Sequence, residues 1–159
     1  MHEPNQFSMK YVKKNRQLDV SFTAILWNGG EAAAFVDDLS LQMSHRESAN
    51  GHISLADPEI NCSDKDGKLL VRPLYIDRGA ALTLNCTARK SVSGDDEQML
   101  LTTDEQEVIL LAEGSNVKSA ATKSCFRLTS QDIGNPSGFG IDEPVPFVRP
   151  VCGRKKNEY

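Results

Sequence analysis

The stretch Leu18–Met43, LDVSFTAILWNGGEAAAFVDDLSLQM, decides the predicted fold of this chain. Apolar residues alternate with polar ones from Leu18 to Leu26, which is the period of a half-buried β-strand. Asn28-Gly29-Gly30 favours a sharp turn, because asparagine and glycine accept positive φ at little steric cost. A second strand follows the turn and ends at Met43. The stretch therefore predicts two consecutive core strands.

The second of these strands changes phase part-way along. Ala34 and Val36 hold one alternation, whereas Leu39 and Leu41 hold the other. A β-bulge absorbs a slip of one residue by placing two residues opposite one on the neighbouring strand. We therefore predict a bulge at Asp37-Asp38, with the apolar side chains on both sides of it facing the core.

Length and composition indicate one globular domain over residues 1–159, since 159 residues are enough to bury a core. Apolar residues make up 39% of the chain and the mean hydropathy is −0.40. The net charge of −4 argues against general nucleic-acid binding, which needs a basic surface. No apolar run reaches the length of a membrane helix, and no cleavable signal is visible at the N-terminus. We expect any membrane attachment to come from sequence outside this chain.

Further strands are predicted from shorter alternating patterns. Phe7, Met9 and Tyr11 indicate a first edge strand, in which nearby lysines discourage pairing with other chains. Ile53 and Leu55 indicate a short strand. The run from Ala80 to Ala88 is the second clear strand signal, and its phase places Cys86 on the buried side.

The segment Thr103–Gly114 allows two readings. Thr103–Gln106 fits a helix capping box, the apolar residues at 108, 109, 111 and 112 share one helical face, and Gly114 suits a helix end. The run Val108–Ala112 fits a fully buried strand equally well. Before this segment, a polar loop is predicted over 91–96 and a strand around Met99–Leu101. Helix and strand both stay open for residues 104–113.

The chain changes character from about Gly134 onward. Proline and glycine recur so often there that the pattern excludes regular structure and predicts an extended tail. We expect this tail to lie across a sheet edge and a disulfide from Cys152 to hold it in place. The chain end around Arg154–Lys156 is expected to be disordered.

The cysteines indicate the compartment. Their number is even and none lies in a CxxC motif, so structural disulfides are one reading and buried reduced thiols the other. Four cysteines allow three pairings. We predict the pairs Cys62–Cys86 and Cys125–Cys152, because a tail bridge suits Cys152 and leaves the first two as partners. Disulfides of this kind imply that the protein resides in an oxidising compartment outside the cytoplasm.

Two segments resemble known immunoglobulin-like domains. FTAILWNGGEAAAFVDDLSLQM resembles the strand-turn-strand of bacterial surface and adhesion-type domains, and IDRGAALTLNC resembles a later strand of such domains. The resemblance covers about a third of the chain and implies a surface location. It implies no catalytic residues, because this architecture hosts many functions. Trp27 precedes every cysteine, so the Cys…Trp…Cys order of antibody domains is missing.

Possible metal sites are weighed against simpler readings. Asp64, Asp66 and Gly67 match part of a calcium loop, but Cys62 and Pro73 occupy the positions where such a loop needs acids. A turn is therefore the better interpretation. The three residues His45, His52 and Cys62 have a spacing that fits no standard zinc pattern.

Other sites are predicted weakly. No GxSxG elbow is present to support a Ser-His-Asp triad, and Gly134–Gly140 lacks the lysine of a phosphate loop. Asn61-Cys62-Ser63 and Asn85-Cys86-Thr87 match the glycosylation acceptor pattern, but the burial predicted for Cys86 speaks against the second. The acidic residues in 95–107 indicate a solvated face rather than a site.

These patterns predict an all-β, immunoglobulin-like sandwich of about seven strands, with room for one short helix. The predicted function is a non-catalytic extracytoplasmic module, periplasmic or at the cell surface, that is membrane-tethered in the full-length protein. It acts in contact with a protein partner of unknown identity or as a structural module. No metal, cofactor or nucleic acid is predicted. The alternative is a small hydrolase or a carbohydrate-binding domain on the same scaffold.

Overall fold

The computed structural model of the chain describes residues 6–45, 52–56, 59–103, 105–115, 120–141 and 145–146. In these ranges, two antiparallel sheets pack as an open β-sandwich, accompanied by two short helices. None of the described helices is long and apolar enough to cross a membrane. The elements in chain order are β1 (Gln6–Val12), β2 (Gln17–Trp27), β3 (Ala34–His45), β4 (His52–Ala56), β5 (Ile60–Ser63), β6 (Leu74–Ile76), β7 (Ala81–Ser91), α1 (Gly94–Leu100), β8 (Gln106–Ser115), β9 (Ala120–Phe126), α2 (Ser130–Ile133), β10 (Gly138–Gly140) and β11 (Val145–Pro146).

The first sheet has the strand order β10-β1-β2-β7-β5, and the two-residue β11 also pairs with β1. The second sheet has the order β4-β3-β8-β9, and β6 pairs with the first residues of β3. The described strands outnumber the seven or so predicted, because β6, β10 and β11 are two or three residues long and carry no alternation that a sequence pattern detects.

The organising stretch forms two strands, as predicted, but they belong to different sheets. β2 lies in the first sheet and β3 in the second, so residues 28–33 connect the two layers. The buried Asn28 side chain holds this connection by donating to the carbonyl oxygens of Ala32 (2.8 Å) and Ile76 (3.0 Å). Among the described residues, positive φ occurs at Arg16, Gly67, Gly79 and Gly138. The prediction of positive φ at Asn28-Gly29 is therefore wrong.

The predicted bulge in β3 is confirmed. The register between β3 and β8 shifts between Val36 and Asp38, so one extra residue is accommodated at Asp37. Ala34 and Val36 before the shift, and Leu39 and Leu41 after it, are all buried. The bulge thus keeps the apolar side chains of both phases on the core side of one strand.

The core lies between the two sheets and contains Phe22 at 2% exposure. Leu26, four residues later on the same side of β2, is partly buried and packs against the edge of the core. Alternate residues of β1, β2, β7 and β8 point inward, as expected for sheets with one face in a core. The remaining positions of β1, β2, β5 and β7 form the outer face of the first sheet.

The open question at 104–113 is decided in favour of a strand. β8 lies between β3 and β9, and alternate residues Val108, Leu110 and Ala112 are buried. The helix lies earlier, at Gly94–Leu100, where a loop and a strand were predicted. Its cap is Ser93, whose side chain accepts from the N–H of Asp96 at 3.1 Å. The sequence of a central strand is a continuous apolar run, and such a run at 108–112 also matches one face of a helix.

The predicted tail contains short regular elements, contrary to the expectation. α2, which begins with a capping box between Thr129 and Asp132, ends just before this tail. β10 and β11 then pair antiparallel with β1 and cover its free edge. A Cβ built on Gly138 would lie 2.0 Å from the carbonyl oxygen of Tyr11, so only glycine permits this close pairing. Cys152 and residues 154–156 lie outside the described residues.

Candidate binding face on the first sheet

The outer face of the first sheet carries two adjacent rows of short, uncharged polar side chains. Strand register places the members of each row directly opposite one another on four neighbouring strands. All eight are serine, threonine, asparagine or glutamine, although charged residues make up 25% of the chain. We call them the polar rows; the first is Gln6, Thr23, Asn85 and Ser63, and the second is Ser8, Ser21, Thr87 and Asn61.

The second polar row is available for hydrogen bonding. Within the described part of the chain, the side chains of Ser8, Ser21, Thr87 and Asn61 make no hydrogen bond, and the last three residues are exposed. The first row is partly engaged: the Thr23 hydroxyl accepts from the N–H of Gln6 at 3.1 Å. Hydroxyl and amide groups both donate and accept. The second row therefore offers several unused donors and acceptors to a bound molecule.

Charged side chains flank the polar rows at one end. Lys10, Asp19 and Arg89 occupy the next row across β1, β2 and β7. The Arg89 Nε and Asp19 Oδ1 atoms are 2.8 Å apart, which makes a hydrogen-bonded ion pair. Glu59 borders the same region and lies 3.7 Å from the ammonium group of Lys90. The charges of this end thus largely compensate one another.

The face is concave. A trough of about 940 Å³ extends over the sheet from β10 across β1, β2 and β7 to β5, and its lining includes Ser137–Ile141 at one edge and Glu59 and Asn61 at the other. A second hollow of about 580 Å³ continues it over the first polar row as far as Leu69. The trough lies over the short side chains of the second polar row and beside the longer side chains of Lys10 and Arg89. It lies within the size range of ligand sites in proteins.

The opposite end of the face is apolar. Ile25 and Trp27 continue the outward phase of β2 and are exposed by 40% and 71%. The Trp27 ring lies over Gly29, since a Cβ built there would approach the ring to 2.6 Å. A side chain at Gly29 would therefore displace the indole ring, whereas the backbone conformation there does not require glycine. This apolar end is a second feature that a partner can contact.

A disulfide lies beneath the polar rows. Cys62 and Cys86 are paired across β5 and β7, and their sulfur atoms are 2.07 Å apart. Both face the core and are at most 3% exposed. This is the first of the two predicted pairs. Cys125 is also disulfide-bonded, while Cys152, its predicted partner, lies outside the described residues.

The structure assigns a structural role to the partial calcium loop. The Asp64 carboxylate accepts hydrogen bonds from the backbone N–H groups of Asp66 and Lys68, both at 2.9 Å, and Gly67 has a φ of 83°. These contacts close a turn, in agreement with the interpretation from sequence. Within the described residues, no three histidine, cysteine or acidic side chains come together in a way that could hold a metal ion.

The zinc site considered from His45, His52 and Cys62 lacks one of its three ligands. Cys62 is bonded to Cys86 and has no thiolate to offer to zinc. The side chains of His45 and His52 lie outside the described part of the chain, so the Ser-His-Asp arrangement is untested. The two glycosylation patterns lie opposite each other on β5 and β7. Asn61 and Asn85 are both exposed, so the burial of Cys86 is no argument against the second pattern.

A buried tyrosine joins β1 to α1. The Tyr11 hydroxyl donates a hydrogen bond to the Glu97 carboxylate, and Arg16 Nε lies 3.7 Å from the same carboxylate. Burial, followed by the hydrogen bond and the negative charge of Glu97, raises the pKa of Tyr11 well above its ordinary value. The nearby Lys13 donates to the Ile133 carbonyl oxygen and contacts Phe139. The cluster stabilises one end of the sandwich, and two of its residues, Tyr11 and Phe139, also line the trough.

Comparison of the chain with protein-family models, with curated proteins and with solved structures finds no match. Function must therefore be argued from the geometry. The polar rows were missed by the sequence analysis, although the alternation of β1, β2 and β7 already indicates which residues face outward. What the alternation does not give is the strand order, and only that order brings the eight side chains into one surface.

Proposed function

We propose that this chain is a non-catalytic, extracytoplasmic module with an immunoglobulin-like sandwich, which acts by contact with a protein partner. Membrane attachment, supplied by sequence outside residues 1–159, is part of the proposal. The observation that carries it is the buried Cys62–Cys86 disulfide, which fastens two strands of the sheet that presents the binding face. Structural disulfides persist in oxidising compartments and are rare in the cytosol.

The order of the strands supports the immunoglobulin-like assignment. β1-β2-β7-β5 corresponds to the A-B-E-D order of that fold, and β4-β3-β8-β9 corresponds to C′-C-F-G. The added strands β6, β10 and β11 lie at the edges. The disulfide departs from antibody domains, because it joins the D and E equivalents within one sheet rather than B and F across the sheets.

The apolar end of the binding face supports a role in protein contact. Trp27 is 71% exposed beside Ile25, and tryptophan is enriched among the residues that dominate binding energy in protein interfaces. Burying an exposed indole and its aliphatic neighbour against a partner removes apolar surface from water. The ion-paired row at the other end of the face would determine the orientation of the bound partner more than the affinity for it.

Two experiments test this proposal in native cells. Protease added outside the cytoplasmic membrane should degrade the protein while a cytosolic enzyme survives; survival of both would contradict the assignment to an extracytoplasmic compartment. A photoreactive residue at Ile25 should give a discrete cross-linked product that Trp27→Ala abolishes. The same residue at Gln42, on the outer face of the second sheet, is the control. Equal products from both positions would contradict a contact role for the Trp27 end.

The alternative of a carbohydrate-binding domain is favoured by a separate observation, the unused hydroxyl and amide groups of the trough. Side chains of this kind match the hydroxyl groups of sugars in both donor and acceptor capacity. The hydrolase alternative has less support. The two carboxylates that line the trough, Asp19 and Glu59, lie beside Arg89 and Lys90, and no histidine is among its described lining residues.

A further inference from the structure

We propose that the trough over the polar rows binds a neutral oligosaccharide, a ligand class that deepens the carbohydrate-binding alternative and rests on it. The occupant is a chain of uncharged sugar units lying across β1, β2, β7 and β5. Four observations support this assignment: the unused polar groups, their spacing, the compensated charge and the shape of the trough.

The unused groups supply the hydrogen bonds. The side chains of Ser8, Ser21, Thr87 and Asn61 bind no other described residue. Each serine and threonine hydroxyl has one donor and two acceptor sites, and an asparagine amide has two donors and an acceptor. Sugar hydroxyls have the same dual capacity, so donors and acceptors can be matched whichever way each hydroxyl turns.

The spacing of the groups suits an extended polar chain. Adjacent strands in a sheet lie about 4.8 Å apart, so a ligand crossing the strands meets a new side chain at each such step. The second polar row supplies four side chains, separated by three such steps from β1 to β5, and the first row runs parallel to it. The first row lines the hollow that continues the trough and so lies alongside the other side of the same chain.

The charge of the trough favours a neutral ligand. Its lining carries the cations Lys10 and Arg89 and the anions Asp19 and Glu59, which balance. Arg89 is paired with Asp19 at 2.8 Å, and Glu59 lies near Lys90. An acidic polysaccharide would face both carboxylates, and with Lys90 counted the surplus of positive charge at this end is only that of Lys10. A neutral chain incurs no such penalty.

The shape of the trough allows close approach. Gly138 and Gly140 of the edge strand β10 line one edge of the trough, and no aromatic or long aliphatic side chain projects from the polar rows. The disulfide beneath β5 and β7 fixes the positions of Asn61 and Thr87 relative to each other. A site on rigid strands costs little ordering entropy when the ligand binds.

The test uses the oxidised full chain and a defined panel: neutral hexose and N-acetylhexosamine oligomers, with uronic-acid oligomers as the anionic arm. Titration calorimetry should detect binding of at least one neutral oligomer, with an affinity that changes little with salt because no ion pairing is involved. Absence of binding by every neutral oligomer would overturn the proposal. Preference for the uronic-acid oligomers would overturn the neutral assignment.

Variants locate the site. Ser21→Arg fills the floor of the trough and should weaken binding of the selected oligomer about tenfold or more, which corresponds to about 1.4 kcal/mol. Thr83→Arg is the matched control, since Thr83 faces outward on β7 but lies outside the trough. It should leave the affinity unchanged. Equal loss in both variants, or in neither, would overturn the proposed location.

A second readout separates folding from binding. Thr87→Ala and Asn61→Ala remove polar groups without adding bulk. Both should weaken binding of the oligomer, while the melting temperature of the protein stays at the wild-type value. Full affinity in both variants would overturn the role of the polar rows. The protease and cross-linking experiments report on compartment and protein contact independently, so failure here is distinguishable from failure of the proposed function.

Discussion

Cys62 and Cys86 lie directly opposite each other on β5 and β7, with their Cα atoms 4.1 Å apart and a disulfide between them. Their neighbours in sequence point the other way, so the same register that joins the sulfurs beneath the sheet places Asn61 beside Thr87 above it. The disulfide on the core side and the alignment of Asn61 with Thr87 on the outer face therefore depend on the same pair of strands.

Removing this disulfide should destabilise the fold. The bridge closes a loop over a sequence separation of 24 residues, and the chain-entropy model assigns such a loop about 3–4 kcal/mol. The double variant Cys62→Ala, Cys86→Ala should lose most of that free energy of unfolding in urea titrations. Ser63→Ala, in the same strand, is the control. A loss below about 1 kcal/mol would mean that β5 is held in place by other contacts.

Phe22 should carry a large share of the core energy. It is 2% exposed in the centre of β2, and truncation of a buried phenylalanine to alanine costs about 3–5 kcal/mol through lost burial and the remaining cavity. Leu26→Ala should cost less, because Leu26 is only partly buried. Ser21→Ala should be close to neutral. If chemical denaturation shows a larger loss in free energy of unfolding for Leu26→Ala than for Phe22→Ala, the burial of these β2 side chains is wrong.

Gly114 should not tolerate a side chain. A Cβ at this position would lie 1.8 Å from the Phe35 carbonyl oxygen, at the bulge where β3 and β8 shift register. Gly114→Ala should therefore destabilise by about 1–3 kcal/mol, the usual cost of overpacking. Gly94→Ala is the matched control: its Cβ would meet nothing closer than 3.7 Å, and alanine favours the first turn of α1. Equal stability of the two variants would contradict the close approach.

Tyr11 should make stability fall at alkaline pH. Because its pKa is raised by burial and by Glu97, the folded state favours the protonated hydroxyl. This contribution is complete below about pH 10, the pKa in an unfolded chain, and is lost as the pH rises towards the higher pKa of the folded state. Urea unfolding between neutral and alkaline pH should show a steeper decline for the wild type than for Tyr11→Phe. Parallel curves would contradict the coupling.

Much of the fold followed from local pattern. The alternation in β2 and β7, the bulge at Asp37 and the buried phase on both sides of it were predictable, because each depends on residues close together in sequence. The Cys62–Cys86 pair was chosen from several possibilities and agrees with the structure.

The errors arose where distant residues decide. Asn28-Gly29-Gly30 looks like a hairpin turn, but contacts from Asn28 to Ile76 make it a crossing between sheets. The run Val108–Ala112 fitted a helix and a strand equally well, and its central position between β3 and β9 decides for the strand. The trough could not be predicted for the same reason, since it requires the order of five strands.

The most direct test of the central claim is the oxidation state of Cys62 and Cys86 in protein taken from its native cells. Thiols should be trapped by alkylation under acid quench, and the unreduced protein digested and analysed by mass spectrometry. An extracytoplasmic module predicts a peptide pair linked through Cys62 and Cys86, with neither residue alkylated. Recovery of both residues in alkylated form would contradict the disulfide and, with it, the oxidising compartment.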